Sequence, residues 1–298
     1  MTDQVNAYRQ TFQDSLELEL SVTQSVLTSR VMNGNHAGGE KTRLILRAGS
    51  KNARPRTTRN DPMVIGDISL QQRWVTGYAW DVDPDTVDDM DKVRMGIDPG
   101  GYITMAHAAA IARIKDQEVI DAFFADAKVG DDAGSTVSFD TNNTVAASSS
   151  GLTVAKLRAA QKVLLDNHVD ITRERPCLAI TPQQHDDLLA DIQAVSADYN
   201  GGQAPLKDGL LQNFMGFDFV MIASDADNDF GLPKVSSNRR CPFWVKSGMH
   251  YGTWQAPQAH VDFRTDLRGK PLQFYTKGDH GATRVEEGKV GEILCVEA

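Results

Sequence analysis

The chain has 298 residues, of which 41% are hydrophobic and 24% are charged, and its formal net charge at pH 7 is -9. These values are close to the averages of globular proteins, so they exclude a fibrous chain and a wholly disordered one. The negative charge opposes nonspecific binding to nucleic acid, because such binding depends on lysine and arginine side chains that neutralise phosphates.

Three cysteines are widely spaced and form no paired motif of the zinc or redox kind, which indicates a reducing, cytoplasmic environment. Residues 1–14 lack the apolar core of a signal peptide, and no apolar run approaches the roughly 18 residues that a membrane span requires. We therefore expect a soluble chain without a membrane partner.

The first 40 residues mix helical and strand-like periods, and we interpret them as an extended N-terminal arm with some helix. The next segment, Lys41–Trp80, has alternating, strand-like ends at Lys41–Ala48 and Ile68–Trp80. Pro55 and Pro62 interrupt regular structure between these ends. The pattern predicts a projecting β-hairpin, which we call the extended loop.

The extended loop is basic around its tip. Its candidate contact residues are Arg47, Lys51, Arg54, Arg56 and Arg59. In one interpretation, these residues only keep a solvated loop soluble. In the other, they contact an acidic surface on another copy of this acidic chain, where complementary charge sets the register of the contact and the rate of encounter. Composition alone does not choose between these alternatives.

Two acidic segments begin with the alternating aspartates of a helix-loop-helix calcium site, namely Asp81–Asp85 and Asp225–Asp229. In the first, Thr86 replaces the required glycine, and in the second the glycine comes one place late, at Gly231. We interpret both as solvated acidic loops, because partial motif matches are usually accidental.

An Ala-rich segment predicts a long helix over residues 102–129, beginning near Asp98 with Pro99 in the first turn. Charged residues such as Arg113, Lys115, Asp116 and Glu118 are expected on its solvated face. The predicted apolar face comprises Ile103, Ala106, Ala110, Ile114, Val119, Ala122 and Phe123.

After a Gly- and Ser-rich link, Gly130–Gly151, Thr153 is expected to cap a second helix. The predicted buried stripe of that helix is Leu157, Ala160, Leu164 and Leu165.

A short apolar run, Cys177–Ile180, predicts a buried strand, and Thr181 with Gln184 predicts a capping box that starts a third helix at Pro182. A short helix near Leu210 and a strand over Phe217–Ile222 complete a predicted α/β lobe. The C-terminal part is predicted to be β-structure, at residues 243–245, 260–263, 273–275 and 290–296.

His185 and Asp186 are the strongest candidates for enzymatic chemistry, as metal ligands or a general base in a metal-dependent hydrolase or binding enzyme. However, His185 shares the predicted apolar face of its helix with Leu188, so a packed histidine is favoured. Cys177 lies in an apolar run and is interpreted as a small hydrophobe. The sequence contains no nucleophile elbow, phosphate-binding glycine loop or zinc-binding helix, so we predict no catalytic residue, metal or cofactor.

The order of these elements resembles the major capsid proteins of tailed bacteriophages, with their Hong Kong 97-like fold. No single stretch is a strict signature, and the resemblance lies in the order of several stretches. These are Asp81–Asp91 with Ala108–Arg113, Gly151–Leu157, Leu178–Leu189, Asp208–Leu210 leading into Gly216 and Phe217, and Gly281–Arg284.

The resemblance implies an α+β fold in which residues 1–40 are the N-terminal arm and residues 41–80 the extended loop. Residues 81–169 and 235–298 would form a peripheral domain around a long spine helix, and residues 170–234 an α/β axial domain. The extended loop would then lie over a neighbouring subunit.

The function that the resemblance implies is structural: subunits form hexamers and pentamers that close into an icosahedral shell around double-stranded DNA, without sequence-specific binding. The implied partners are other copies of the chain, a portal protein and a decoration protein, with assembly in the host cytoplasm. Because only about 40 residues precede the extended loop, we also expect a separate scaffolding protein. A nonviral protein cage of the same fold is the remaining structural alternative.

Overall fold

The computed structural model describes most of the chain, and the fold is taken from those residues. They are residues 24–49, 51, 53, 55, 59, 66–68, 70–88, 99–191, 206–207, 210–222 and 231–297. Within them the chain forms two compact units: the first contains Trp80–Arg113 and Pro257–Gly278, and the second contains Ser25–Ala79, Ile114–Ala256 and Asp279–Ala298.

The described residues form three α-helices and seventeen strands. The helices are α1 (Pro99–Phe124), α2 (Val154–Asp166) and α3 (Pro182–Leu189). The strands are β1 (Met32–Asn35), β2 (Lys41–Ala48), β3 (Leu70–Thr76), β4 (Tyr78–Val87), β5 (Ala127–Val129), β6 (Ser135–Val137), β7 (Thr144–Val145), β8 (Pro176–Ile180), β9 (Leu206–Lys207), β10 (Leu210–Leu211), β11 (Asn213–Phe214), β12 (Phe217–Met221), β13 (Lys234–Val235), β14 (Asn238–Val245), β15 (Met249–Phe263), β16 (Leu272–Arg284) and β17 (Val290–Val296).

The strands form four sheets. The largest has the order β11-β12-β8-β14-β17-β7, with β13 paired to β14. Two four-stranded sheets have the orders β1-β15-β16-β4 and β2-β3-β5-β6, and β9 pairs with β10. The largest sheet is mixed, since β8 runs parallel to β12 and antiparallel to β14.

The core of the second unit is built on β8, whose five residues are all buried. A strand that is buried at every position has both faces covered, which explains why its sequence is a continuous apolar run. The predicted strand Cys177–Ile180 is therefore confirmed. The other fully buried large side chains of this core include Phe217, Phe243 and Trp244.

Helix α3 begins as predicted, because its capping signals are local in sequence. The Thr181 backbone N–H donates to Gln184 Oε1 at 3.0 Å, and Pro182 is the first helical residue. Helix α2 also follows its predicted cap at Thr153, and Leu157, Ala160 and Leu164 are fully buried. The prediction for Leu165 was wrong, because half of this side chain is exposed.

Helix α1 starts at Pro99 but ends at Phe124, so the predicted end at Val129 was wrong. Residues 127–129 form β5, which pairs with β3 and β6. The buried face includes Ile103, Val119, Ala122 and Phe123 as predicted. The other three predicted members of that face, Ala106, Ala110 and Ile114, are only half-buried.

Asp116 was expected on the solvated face of α1, and this expectation was also wrong. Its carboxylate accepts hydrogen bonds from the Ser25 hydroxyl at 2.6 Å and from the backbone N–H groups of Val26 and Leu27 at 3.0 Å each. Leu27 is fully buried. These bonds fix the chain that precedes β1 to the C-terminal half of α1.

The C-terminal end of α1 is closed by the buried guanidinium group of Arg284, the last residue of β16. Its Nη1 donates to the carbonyl oxygens of Phe123, at 2.7 Å, and Ala125, and its Nη2 donates to Val137 O at 3.2 Å. The last carbonyls of a helix lack intrahelical partners and carry the negative end of the helix dipole. A cation at this position therefore satisfies both the hydrogen bonds and the charge.

Two segments depart from the predicted pattern. The segment near Leu210 forms the short strand β10 and not a helix, and it pairs with β9. The link Gly130–Gly151 contains β6 and β7, and the buried Asn143 side chain in it donates to Glu287 O at 2.8 Å and Val290 O at 3.1 Å. The four predicted C-terminal β-segments lie within β14, β15, β16 and β17 and are confirmed.

We expect Arg284→Met to lower the free energy of unfolding by about 2–4 kcal/mol, because the carbonyls at the end of α1 would stay buried without a donor. Urea unfolding followed by circular dichroism measures the change. Arg268→Met, at an exposed position, is the matched control and should cost less than about 0.5 kcal/mol. Equal stability of the Arg284→Met and wild-type proteins would show that this cap does not hold the helix end.

Glu118 was also expected on the solvated face of α1, but it is half-buried, and it predicts a pH dependence of stability. Burial, with a smaller contribution from Asp121, raises the pKa of Glu118 from 4.5 to about 7. The fold thus favours the protonated form, and stability is lost as the pH rises from about 5 to above 7. Glu118→Gln keeps the neutral form, so it should be more stable than wild type at pH 8 by roughly 1–2 kcal/mol, allowing for partial exposure, with a smaller difference at pH 5.

Urea unfolding of the wild type and Glu118→Gln at pH 5, 6, 7 and 8 measures this difference. Asp262→Asn removes one negative charge at an exposed position and should give a pH-independent offset. A constant difference between Glu118→Gln and wild type across this pH range would contradict a raised pKa at Glu118.

Candidate inter-subunit surface

The extended loop has the predicted hairpin geometry where the structure describes it. β2 and β3 pair antiparallel from Lys41 opposite Thr76 to Ala48 opposite Leu70, with a bulge between Arg43 and Ile45. The predicted first strand, Lys41–Ala48, is confirmed without change of bounds. The second, predicted as one run over Ile68–Trp80, is divided between β3 and β4.

The division occurs at Gly77, where the backbone passes close to two side chains. A Cβ atom at this position would lie 2.7 Å from Asp279 Oδ1 and 2.9 Å from the Trp254 ring. The Gly77 N–H donates to Glu40 O at 2.9 Å, which ties the two ends of the hairpin together. The glycine therefore permits a contact that any larger residue would prevent.

The base of the hairpin is fixed to the second unit by polar contacts of buried or half-buried side chains. Arg73 is buried, and its Nε donates to Val285 O at 3.0 Å while its Nη2 contacts Glu287 Oε2. Trp74 Nε1 donates to Gly130 O at 2.7 Å. These bonds hold β3 in place at the end nearest the body of the unit.

The described residues at the opposite end of the hairpin are exposed. Lys51 and Arg59 are exposed, and the Lys51 ammonium donates to the Gly66 carbonyl across the loop. Arg54 and Arg56 lie outside the described residues. Arg47 lies in β2 opposite Gln71, and its side chain is also outside the described set. Contacts of the five predicted residues with another subunit remain a prediction.

Sequence reasoning missed two apolar residues on this surface. Ile68 is 47% exposed and Leu70 is 60% exposed; Leu70 is the first residue of β3, and Ile68 lies two residues before it. The residue pattern indicated a strand here, but it did not show that these apolar side chains would be exposed. The exposed surface therefore contains both basic and apolar groups.

The residues of the enzymatic alternative do not come together. His185 is buried and its Nε2 accepts a hydrogen bond from the Leu211 N–H at 3.1 Å, whereas the neighbouring Asp186 is exposed. His185 is thus a packed histidine that satisfies a buried amide, as its apolar helix face indicated. Cys177 is buried, and burial raises the pKa of its thiol to about 11, consistent with a small hydrophobe.

The candidate calcium segments are not supported either. Asp81, Asp83 and Asp85 lie on the strand β4 and not in a loop, so the predicted loop was wrong. Asp225–Asp229 lies outside the described residues. Within the described parts of the chain, no group of three or more His, Cys, Asp or Glu side chains is placed to hold a metal ion. In the same parts, no helix is both long and apolar enough to cross a membrane.

Comparison with known proteins gives one decisive match. The family model described as phage capsid protein matches residues 5–297, which is nearly the whole chain. The chain belongs to the phage capsid protein family. No curated protein sequence matches it significantly.

Several solved structures of other proteins have the same fold as this phage capsid protein. The chain is similar to the capsid protein of cyanophage Pam1, with a TM-score of 0.72 and 12% identity, covering 98% of this chain and 97% of that one. It is also similar to the capsid protein of cyanophage P-SCSP1u, with a TM-score of 0.71 and 12% identity over 98% and 94% of the two chains. For Mycobacterium phage Che8 the TM-score is 0.68 and the identity 17%, with 96% of each chain covered.

These neighbours confirm the predicted Hong Kong 97-like fold with mixed helix and sheet content. The family establishes a capsid protein, which implies a non-enzymatic structural role, self-assembly into capsid oligomers and a place in the virion capsid. The metal-dependent hydrolase alternative is not favoured.

Proposed function

We propose that this capsid protein assembles into hexamers and pentamers of an icosahedral shell, and that the extended loop bridges each subunit to the next. The observation that carries the proposal is the asymmetry of the hairpin. Its base is fixed by Arg73 and Trp74, while Ile68, Leu70, Lys51 and Arg59 are exposed. An anchored hairpin with exposed apolar side chains is suited to contact a second protein surface.

The second copy is the partner that the charges favour. The chain carries a net charge of -9, so a basic loop on one copy meets a predominantly acidic surface on another. Complementary charge would set the register of the contact, while burial of Ile68 and Leu70 would add about 25 cal/mol for each Å² of apolar surface removed from water.

We assign the parts of the chain as the resemblance implies. Residues 1–40 form the arm and residues 41–80 the extended loop. Residues 81–169 and 235–298 form the peripheral domain, and residues 170–234 form the axial domain. The net negative charge suits a shell that encloses double-stranded DNA without gripping it, because strong phosphate contacts would oppose packaging and release.

Assembly in the host cytoplasm would involve a separate scaffolding protein and a portal protein, and a decoration protein could bind the finished shell. Electron microscopy and size-exclusion chromatography of the chain, expressed alone and with its scaffolding protein, test this proposal. We expect closed shells of uniform size with the scaffold, and monomers or irregular assemblies without it. Uniform closed shells from the chain alone would refute the scaffold requirement, and a persistent monomer under both conditions would refute the shell function.

The role of the loop is tested by Arg54→Glu combined with Arg56→Glu. We expect a folded monomer with unchanged melting temperature but a particle yield at least fivefold lower, because the double change replaces attraction by repulsion at the tip. The loss should be larger at low salt than at high salt, where exposed charges are screened.

The matched control is Arg158→Glu with Lys162→Glu, which makes the same charge change at exposed positions of α2. Its particle yield should stay within twofold of wild type. Equal yields from the loop variant and wild type would show that the tip is only a solvated loop, and equal losses from both double variants would point to net charge and not to the loop.

A further inference from the structure

A solvent-open cavity of about 460 Å³ lies at one end of the largest sheet, where β8 and β12 begin and β14 ends. Cys177 of β8 lies opposite Asp218 of β12 and opposite Trp244 of β14. The pairing of these strands brings together side chains that are far apart in the sequence, all from the second unit. The charged residues that line the cavity are Arg30, Arg173, Glu174, Arg175, Asp218 and Lys246.

The cavity has an excess of positive charge, although the chain as a whole has a net charge of -9. Its four cationic residues, Arg30, Arg173, Arg175 and Lys246, are all exposed. Asp218 Oδ2 is 3.4 Å from Arg30 Nη1, and its Oδ1 is 3.8 Å from Arg175 Nη1. A strong charge-assisted hydrogen bond is about 2.7–2.9 Å long, and a guanidinium group has five N–H donors. The arginines therefore retain donors for an anionic group that enters the cavity, which we call the basic pocket.

The backbone around the basic pocket is held by hydrogen bonds that leave its arginine side chains available. Trp244 Nε1 donates to Arg30 O at 3.0 Å, and the Ser247 N–H donates to Glu174 Oε2 at 3.2 Å. The Lys246 ammonium donates to a backbone carbonyl just before β1 at 3.3 Å. A pocket whose backbone is already ordered loses less conformational entropy when it binds a partner.

An acidic peptide strand fits this pocket better than a nucleic acid does. Among the described residues that line it there is no aromatic side chain, so it offers no stacking surface for an unpaired base. The chain itself contains an acidic strand, because Asp81, Asp83 and Asp85 are exposed at alternate positions of β4. Alternate side chains share one face of a strand and repeat roughly every 6.6 Å. Asp85 is paired with His107 Nε2 at 3.0 Å, which leaves Asp81 and Asp83 for another partner.

We propose that the basic pocket receives β4 of a second copy of the chain, with Asp81 and Asp83 of that copy facing Arg173 and Arg175. β4 is the last strand in the described order of its sheet, so a second protein surface can approach its outer edge. Exposed ion pairs contribute little each, so this contact chiefly decides which faces of two copies meet. The inference rests on the assembly of the chain into capsid oligomers, and it adds an interface separate from the extended loop.

Charge reversal on each side, and on both sides together, tests this pairing in the full chain. Arg173→Glu with Arg175→Glu, and Asp81→Lys with Asp83→Lys, should each lower the particle yield at least fivefold, because like charges then meet. The fourfold variant that combines all these changes restores opposite charges. Its particle yield should return to within about twofold of wild type, and the melting temperature of each unassembled variant checks its fold.

The matched control keeps the net charge of the fourfold variant but places the new glutamates elsewhere. It combines Asp81→Lys and Asp83→Lys with Arg158→Glu and Lys162→Glu at exposed positions of α2. We expect no recovery of particle yield in this control. Equal yields from the control and the fourfold variant would overturn the pairing.

Cross-linking gives a second readout that does not require a closed shell. Asp83→Cys and Arg175→Cys are placed in one chain, whose three natural cysteines are buried. In oligomers of any size, a short bismaleimide should join the subunits into covalent dimers and larger ladders. Asp83→Cys with Arg158→Cys, which places the second thiol on α2, should give at least fivefold fewer covalent dimers.

The two readouts separate this inference from the shell function. Shells formed at wild-type yield by Arg173→Glu with Arg175→Glu, without cross-links at the paired cysteines, would overturn the inference and leave the shell function intact. Cross-linked oligomers that never close would support the inference while the shell function failed. Normal shells that package less DNA would assign the pocket to phosphate groups, and loss of assembly in the pocket variant but not in Asp81→Lys with Asp83→Lys would exclude β4. Either result would overturn the proposal.

Discussion

The contact between Arg284 and the end of α1 is the interaction on which the second unit depends. One guanidinium group donates to the carbonyls of Phe123 and Ala125 and to Val137 O in β6. It thereby provides hydrogen-bond donors for the last carbonyls of the long helix and fixes the residues that connect this helix to β5. Because β5 pairs with β3, the same contact also positions the base of the extended loop.

A second buried arginine adjoins this contact. Arg73, on β3, contacts Glu287, three residues after Arg284 in sequence. Burial lowers the pKa of Arg284, and Arg73 lowers it further, whereas Glu287 opposes both effects. Two buried guanidinium groups are tolerated beside one carboxylate because backbone carbonyls supply additional negative ends of dipoles. The helix and the hairpin, which sequence analysis treated as separate parts, thus share one charged anchor.

Local signals in the sequence predicted much of the fold. The capping box of Thr181 and Gln184, the apolar run of β8 and the strand-like segment of β2 are each complete within a few residues, so these elements needed no distant contact to be recognised. The end of α1 was different. Ala127, Lys128 and Val129 are compatible with a helix, but they form a strand that pairs with β3 and β6, after a helix end capped by Arg284, more than 150 residues away in the sequence. The strand at Leu210 and the exposure of Leu165 likewise depend on partners that the sequence does not reveal.

The candidate inter-subunit surface shows that a strand-like sequence does not by itself reveal which side chains of the strand are buried. Along β3, exposure falls from Leu70 to the buried residues Val75 and Thr76. A pattern of period two identifies a strand, but it does not say whether the other side of the strand meets its own chain, solvent or a second subunit. A capsid protein needs to be stable as a subunit and still retain apolar surface to bury on assembly. The hairpin meets both conditions if burial at its base stabilises the monomer and burial at Ile68 and Leu70 is reserved for contact between copies.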